Sequence, residues 1–458
     1  MDSKLLWQKQ VQQLNRKRWI MIAPLAITIV ITFFHRGVIG VIADSLSKEF
    51  DISRAADLGI LSSIYFYTYA ALQIPSGIAA DLFGPRRIIL AATLTAGVGT
   101  LIFGVADSLG GLYAGRFLLS VGLGFIYVSA LKIYAEWFRS REFGMMCGVS
   151  ALTGNAGVVL AATPYAVLVE AIGWRSSYYL VGVLTLLIAG CCWTSIRNRP
   201  AELGLPSIRE VEAVESGLVD LEPADIKPST LREVLGNLRV VVGNPYIWRP
   251  FIVCGGMFGV YITFAGIWGI PYLMQIYEMS RVTAANYIVV VSVGYMVGSP
   301  IVGTISDRIS RRRLPWVLHA GLMLSAWMTL TLWNGGKPPE WVLFPLCFLI
   351  GFGASGAALT LACAKEVNPP GMTGVATGTV NVGAPIGAAL IQPAFGWLLD
   401  THWQGAMHDG VKIYPLEAYQ AGFWLCGAVI AGAFIMAMFL KETYCKHIAD
   451  YRVRTEEA

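Results

Sequence analysis

Charged residues are scarce in this sequence. They make up 14% of its 458 residues, whereas a soluble protein carries about 25%. Hydrophobic residues account for 55%, and the mean hydropathy is +0.60. This composition excludes a disordered chain, a coiled coil and a nucleic-acid-binding protein as the main interpretation. The formal net charge of +5 is better explained by the topology of loops between apolar segments than by ligand binding.

The motifs of metal sites and soluble enzymes are missing as well. No Cys-x-x-Cys pair or Cys/His metal spacing occurs, so the eight cysteines are predicted to be inert, buried thiols. No phosphate-binding glycine loop followed by Lys-Ser/Thr is present, which argues against ATP-driven transport. The absence of Asn-x-Ser/Thr sequons is consistent with a bacterial protein. We therefore expect no enzymatic activity, no metal and no cofactor.

Long apolar runs, by contrast, are abundant. A helix that crosses a bilayer needs about 20 mostly apolar residues, and twelve runs approach this length. In the first half they are 19–43, 58–80, 88–105, 112–138, 144–169 and 177–196, and in the second half 251–273, 285–305, 316–333, 341–364, 375–399 and 421–440. The pattern predicts an all-α membrane protein with 12 transmembrane helices.

The polar segment 197–249 divides these spans six and six. We predict an N-terminal six-helix bundle with a cytoplasmic basic arm over 1–196, a cytoplasmic linker with a short amphipathic helix over 197–249, a C-terminal bundle over 250–440 and a cytoplasmic tail over 441–458. With both termini in the cytoplasm, 25 of the 34 Lys and Arg residues lie on that side and six in external loops. Lys and Arg are enriched in cytoplasmic loops, so this orientation is favoured.

The two halves repeat a motif. Gly77-Ile-Ala-Ala-Asp81 recurs 226 positions later as Gly303-Thr-Ile-Ser-Asp307, and arginines follow each copy. These are Arg86 and Arg87 in the first half, and Arg308, Arg311, Arg312 and Arg313 in the second. The repeated motif resembles the loop signature of the major facilitator superfamily, over the whole chain. The resemblance implies two six-helix bundles related by pseudo-twofold symmetry, alternating access and a monomer.

The repeated motif also predicts gating elements. The aspartates can pair with the basic residues that follow and hold one conformation; the alternative is that the arginines only set the topology. The candidate gating residues are Asp81, Arg86, Arg87, Asp307, Arg308 and Arg311.

Three cations lie inside predicted spans, namely Arg36, Arg116 and Lys132. An ionisable side chain inside a membrane costs free energy, so its presence there indicates a functional or structural role. An uncompensated cationic cavity favours an anionic substrate, which Arg binds through paired hydrogen bonds. Alternatively, Lys132 pairs with Glu136 four residues later, and Arg116 holds its own helix in place. His35 is either a proton carrier or a packing residue.

Span one resembles the anion:cation symporter and organophosphate antiporter branches of the superfamily. An Arg sits where Arg36 does, and the stretch 199–206 after span six is similar to that of sugar-phosphate antiporters. The symporters tend to carry an acid just before this Arg and another seven positions after the span-four Arg. Here those places hold His35 and Leu123. His35 is therefore a candidate coupling residue, and Glu136 is a second candidate, with protons or a counter-anion as the coupling partner.

The second half contributes uncharged side chains that can form hydrogen bonds or aromatic contacts with a substrate. These further candidates for substrate binding are Tyr261, Thr263 and Trp268 in span seven and Asn381 in span eleven. Together these features predict a secondary transporter for a small organic anion, a carboxylate or a phosphorylated metabolite, in the bacterial inner membrane. Two alternatives are a proton-driven drug or metabolite exporter and a transporter-like metabolite sensor.

Overall fold

The computed structural model describes residues 3–52, 54–215, 231–369, 372–408 and 411–446. The first half contains α1 (Ser3–Glu49), α2 (Ala55–Phe83), α3 (Pro85–Val105), α4 (Leu109–Gly124), α5 (Ile126–Trp137), α6 (Ser140–Leu160), α7 (Thr163–Ile172) and α8 (Trp174–Ser195). The linker contains a 3₁₀ turn (Pro200–Leu203), α9 (Ile208–Glu215) and α10 (Leu231–Gly243). The predicted linker thus contains more helix than one short amphipathic segment.

The second half has the same helical character. It contains α11 (Pro245–Thr263), a π-helical turn (Phe264–Trp268), α12 (Gly269–Tyr277), α13 (Arg281–Arg308), α14 (Arg313–Leu332), a 3₁₀ turn (Trp333–Gly335), α15 (Glu340–Ala354), a second 3₁₀ turn (Ser355–Leu359), α16 (Thr360–Glu366), α17 (Thr373–Asn381), α18 (Gly383–Thr401) and α19 (Leu416–Met438). Two short strands, β1 (Met407–His408) and β2 (Val411–Lys412), pair antiparallel between α18 and α19.

The apolar composition produces membrane-spanning helices, as predicted. In the described part of the chain, 11 helical segments are long and apolar enough to cross a bilayer. Helix α2 is 29 residues long and completes the twelve predicted spans. Ser, Tyr and Gln side chains lower its apolar content, and among them Ser62, Ser63 and Tyr65 are buried inside the protein. The prediction of an all-α membrane protein is confirmed.

The fourth span of each half is interrupted at equivalent positions. In the first half α4 ends at Gly124 and α5 begins at Ile126. In the second half α15 ends at Ala354, and the 3₁₀ turn follows before α16. Gly124 and Ala354 are separated by 230 residues, the same offset that relates Gly144 to Gly374 in the sequence. The internal repeat therefore extends to the irregularities of the helices, which continuous apolar runs did not predict.

The bundle has two ends, which we call the terminal face and the far face. Helix α1 begins and α19 ends at the terminal face, whereas α1 ends and α2 begins at the far face. The basic arm predicted before the first span is the first part of α1 itself. The buried side chain of Leu14 packs into the main apolar core, which anchors this part of the helix to the bundle.

Glycines bring the two halves into close contact near the far face. A Cβ atom on Gly40 of α1 would lie 2.9 Å from the carbonyl oxygen of Gly266 in the π-helical turn. A Cβ atom on Gly59 of α2 would lie 2.7 Å from the Cα atom of Pro393 in α18. Distances this short leave no room for a side chain, so the backbones pack directly. Within the described ranges, the hydrogen bonds that join the two halves also lie between this end and the middle of the bundle.

Candidate functional site

A cavity of about 500 Å³ lies between the two halves. Its volume is within the usual range for small-molecule sites, about 300–1,000 Å³. Helices α1, α2, α5 and α6 line it from the first half, and α11, α13 and α16–α18 from the second. The interhalf contacts at the far face close it from that end. Because both halves contribute walls, any relative movement of the halves changes the shape of this cavity.

Arg36 projects into the cavity from α1. Its Nε donates to the hydroxyl oxygen of Tyr65 over 3.4 Å. The guanidinium carbon lies 3.8 Å from the ring centroid of Phe33 and 5.1 Å from that of Tyr69. Aromatic faces attract a cation but do not neutralise its charge. Among the described residues no carboxylate forms an ion pair with Arg36, so its charge remains available to an anion.

The second half supplies Tyr261 and Asn381 to the cavity wall. The ring of Tyr261 stacks on that of Tyr295, with centroids 4.9 Å apart. The Tyr261 hydroxyl group is buried beside Ser292 and is not accessible from the cavity. Tyr261 therefore contributes aromatic surface, rather than its hydroxyl group, to the wall.

Thr263 and Trp268, the other span-seven candidates, lie outside the cavity lining. Thr263 is fully buried. The Trp268 Nε1 donates to the carbonyl oxygen of Gln392 over 3.1 Å, and its ring stacks on Phe395. Thr263 follows Tyr261 by two residues, which places it on the opposite side of a regular α-helix. Trp268 follows Tyr261 by seven residues, and the π-helical turn that ends at Trp268 shifts it off the face that Tyr261 occupies. Both residues pack the second half together in this conformation.

Arg116 also lies outside the cavity lining. It is fully buried, and its Nη2 donates to the backbone carbonyl oxygen of His35 over 2.8 Å. His35 is 1% exposed, and neither of its ring nitrogens has a hydrogen-bond partner within the described part of the chain. The contact ties α4 to α1 one residue before Arg36. Arg116 is therefore placed to position the helix that carries Arg36 rather than to touch a molecule in the cavity.

Lys132 and Glu136 lie near the terminal face and do not pair with each other. The Lys132 ammonium forms an ion pair with Asp81 at the end of α2 and also donates to the carbonyl oxygen of Ala80 over 3.0 Å. Glu136 lies 3.7 Å from Arg199 in the linker. The physical reason is that each side chain finds an opposite charge on a neighbouring segment. Neither residue lines the central cavity.

The predicted gating residues pair differently in the two halves. Asp307 contacts Arg312 over 2.6 Å, whereas the ion pair of Asp81 is with Lys132 rather than with Arg86 or Arg87. Arg86 instead donates to the carbonyl oxygen of Trp193 over 2.8 Å. The side chains of Arg87, Arg308 and Arg311 are exposed. Each of the pairs involving the two aspartates lies within a single half, so in this conformation they do not connect the halves.

Arg312 forms ion pairs with both Asp307 and Glu366. It was not among the predicted gating residues. Its Nη2 lies 2.7 Å from Glu366, and its side chain and that of Glu366 are 10% and 8% exposed. Burial alone would lower the pKa of Arg312, but hydrogen bonds to Glu366 and Asp307 outweigh it and raise the pKa. A sequence signal was available, because Glu366 lies 230 positions after Glu136, the offset that also relates Gly144 to Gly374.

Polar contacts at the far face were not predicted from the sequence. The Nη2 of Arg281 on α13 lies 2.5 Å from the carboxylate of Asp44 on α1. The carboxylate of Asp400, at the end of α18, accepts hydrogen bonds from the backbone N–H groups of Ala55 and Ala56 over 3.0 and 3.1 Å. These N–H groups open α2, so a residue of the second half caps a helix of the first. Both contacts hold the halves together at this end.

The sequence and the fold match known proteins. A family model described as the Major Facilitator Superfamily matches residues 25–280 and 263–447. The chain is 27% identical to the membrane sensor protein UhpC of Escherichia coli strain K12, over 76% of this chain and 79% of that protein. It is 25% identical to a probable hexose phosphate transport protein of Chlamydia trachomatis, over 76% of this chain and 78% of that protein.

A third relative is the probable galactarate/D-glucarate transporter GudP of Escherichia coli strain K12, 24% identical over 84% of this chain and 88% of that protein. The solved structure of a bacterial homologue of the human lysosomal transporter Spinster, inward-facing and unoccupied, superposes with a TM-score of 0.73. It is 17% identical and covers 93% of this chain and 97% of that chain. The chain is a multi-pass membrane protein, and it belongs to the Major Facilitator Superfamily.

Proposed function

We propose that the protein is a secondary transporter that moves a small organic anion, a carboxylate or a phosphorylated metabolite, across a bacterial inner membrane by alternating access. The observation that carries the proposal is the guanidinium of Arg36. It lies in a cavity between the two halves without an acidic partner among the described residues. Such a group can bind a carboxylate or phosphate through parallel hydrogen bonds, which fix the orientation of the substrate as well as its position.

The relatives support an anionic substrate. Two of them are named as carriers of hexose phosphate and of galactarate or D-glucarate, and these compounds are anions. All three relatives are less than 30% identical to this chain, so their names do not define its anion, and the cavity is the better guide to it.

The distribution of Lys and Arg favours a cytoplasmic terminal face. In that orientation the far-face contacts close the external side, and the conformation is inward-facing. Alternating access then requires that the contacts of Asp44 with Arg281 and of Asp400 with α2 break while the cytoplasmic ends of the halves approach each other. Asp81 and Asp307 are at the cytoplasmic ends in this orientation, where new contacts between the halves would form.

The experiment is counterflow in proteoliposomes that contain the purified protein. Vesicles preloaded with an unlabelled anion should accumulate the same labelled anion, and empty vesicles should not. Accumulation of a labelled cation or of a neutral lipophile instead would favour the exporter alternative. Saturable binding without counterflow of any anion would favour a sensor, a role that the name of UhpC makes a specific alternative.

The same vesicles test coupling. His35 is buried away from the cavity, which favours anion exchange over a proton carried at this residue. We expect counterflow to be unaffected by an imposed pH gradient and to persist in His35→Gln. Substrate-driven acidification of the vesicle interior that disappears in His35→Gln would instead assign the proton to His35.

A further inference from the structure

The central cavity provides one positive charge. Arg36 is the single charged side chain among the described residues that line it. Arg116 is buried outside the lining, and Lys132 is paired with Asp81 near the terminal face. The described residues of the second half that line the cavity are all neutral. A substrate with two negative charges would therefore keep one of them without a counter-charge, and an unpaired charge away from water is costly.

Besides five tyrosines, the described lining of the cavity has few groups that can replace water around the hydroxyl groups of a substrate. Apart from the tyrosines, the described lining residues with an amide or a hydroxyl are Asn155, Ser299, Thr360 and Asn381. The Ser299 hydroxyl donates to the carbonyl oxygen of Tyr295 over 2.8 Å, and the Thr360 hydroxyl donates to that of Ala357. Both protons are thus used by nearby backbone. A polyol would lose hydrogen bonds to water on entry and regain only some of them.

Aromatic and aliphatic surfaces dominate the walls. The rings that line the cavity belong to Phe33, Tyr65, Phe66, Tyr69, Tyr127, Phe258, Tyr261 and Tyr295. Tyr65 and Tyr69 form a near-parallel pair in the first half, with centroids 6.1 Å apart and an interplanar angle of 11°. Tyr261 and Tyr295 form the corresponding stacked pair in the second half. Ile262, Met296 and Leu361 add further apolar surface to the lining. This surface favours an apolar ligand body.

We propose that the substrate is a monoanion in which one carboxylate is attached to an apolar, aromatic body. This inference rests on the proposed function and names the substrate class for the same site. The carboxylate binds Arg36 through Nη1 and Nη2, neither of which donates to a described residue. The body lies between the tyrosine pair of the first half and that of the second.

A panel that varies charge and body separately tests the inference. Counterflow of labelled phenylacetate is measured with six competitors: phenylacetate itself, homophthalate (an aromatic dianion), gluconate (a polyol monoanion), glucarate (a polyol dianion), glucose 6-phosphate (a phosphorylated polyol) and neutral 2-phenylethanol. We expect phenylacetate to compete roughly tenfold or more better than each of the others, the factor expected for one unmatched charge or for a few unpaired hydroxyls. Thermal shift of the purified protein with the same compounds provides a binding measurement independent of transport.

A gain-of-charge variant provides the second arm. Met296→Lys adds a second cation to the lining and should move the preference from phenylacetate towards homophthalate. Met296→Gln is the matched control, since it is polar but uncharged and should leave the charge preference unchanged. A merely structural effect of Met296 would alter both variants alike.

The outcomes separate this inference from the proposed function. If glucarate, gluconate or glucose 6-phosphate is carried better than phenylacetate and that transport requires Arg36, the substrate class is wrong while anion transport stands. If no anion of the panel is bound or carried better than 2-phenylethanol, both are wrong. A preference of the Met296→Lys variant for phenylacetate equal to that of the unaltered protein would also overturn the charge argument.

Discussion

Asp44 and Arg281 form an ion pair across the two halves of the protein, with 2.5 Å between the carboxylate and Nη2. Arg281 also donates to the Ser45 hydroxyl over 3.3 Å, and its side chain is 14% exposed. The pair links α1 to α13 at the far face. A contact of this kind stabilises the conformation in which this face is closed, and it must break if the face opens.

Removal of the Asp44 carboxylate should therefore shift the conformational balance. In Asp44→Asn the partly buried guanidinium of Arg281 loses its counter-charge, at a cost of about 1–2 kcal/mol to the closed far face. We expect longer distances between spin labels placed across this face. The exposed Asp51, in the turn after α1, provides the control Asp51→Asn. Unchanged distances in Asp44→Asn, or equal shifts in both variants, would contradict the assignment.

Asp400 should act through the helix that it caps. Its carboxylate also accepts from the hydroxyl of Tyr414 over 3.0 Å, in addition to the N–H groups at the start of α2. Loss of a capping group costs about 1 kcal/mol. Because the cap belongs to the other half, we expect Asp400→Ala to favour an open far face without lowering helical content. Asp400→Asn keeps one acceptor oxygen and should be milder in the same distance measurement. If Asp400→Asn were as severe as Asp400→Ala, the lost charge rather than the lost cap would be responsible.

Gly59 should tolerate no side chain in the present conformation. Its Cβ would lie 2.7 Å from the Cα atom of Pro393, so Gly59→Val forces the two halves apart. We expect reagents applied to the far face to label a cysteine placed in the cavity faster, and counterflow to fall. Gly110→Ala is the control, because nothing lies within 4 Å of that Cβ position. Normal counterflow in Gly59→Val would show that this close approach is dispensable.

The buried pair of Arg312 and Glu366 should matter for stability rather than for conformation. Both partners are almost fully buried, and Glu366 also accepts from the hydroxyl of Thr443. Breaking a buried ion pair from one side costs about 3–5 kcal/mol. We expect Glu366→Gln to lower the melting temperature well below that of Asp307→Asn, since the Asp307 side chain is 68% exposed. Equal melting temperatures would contradict the difference in burial on which this prediction depends.

The sequence predicted the helices because length and apolar composition alone decide whether a segment can cross a membrane. The repeat was visible because Asp81 and Asp307 recur with their surrounding glycines. Arg36 was singled out because it has no acid within a helical turn, and the structure places it in the central cavity. These inferences depend on local sequence or on a motif repeated in the chain.

Contacts between distant segments could not be predicted in the same way. Lys132 has Glu136 one turn away on its own helix, yet it pairs with Asp81, which only the packing of α2 against α5 brings near. The position of Arg116 depends on which face of α4 meets α1, and the apolar pattern of a helix buried on several sides does not specify that face. The Asp44–Arg281 pair joins ends of helices 237 residues apart in sequence.

The central claim is that the guanidinium of Arg36 binds the anion that the protein carries. The most direct test is counterflow of a labelled organic anion by the unaltered protein, Arg36→Lys and Arg36→Ala, with Arg239→Ala on the exposed surface of α10 as the matched control. Loss of paired hydrogen bonds to a carboxylate should weaken binding in Arg36→Lys by roughly tenfold or more, although the charge remains. We expect Arg36→Ala to abolish counterflow and Arg239→Ala to preserve it. Transport by Arg36→Ala with unchanged affinity and rate would contradict the account.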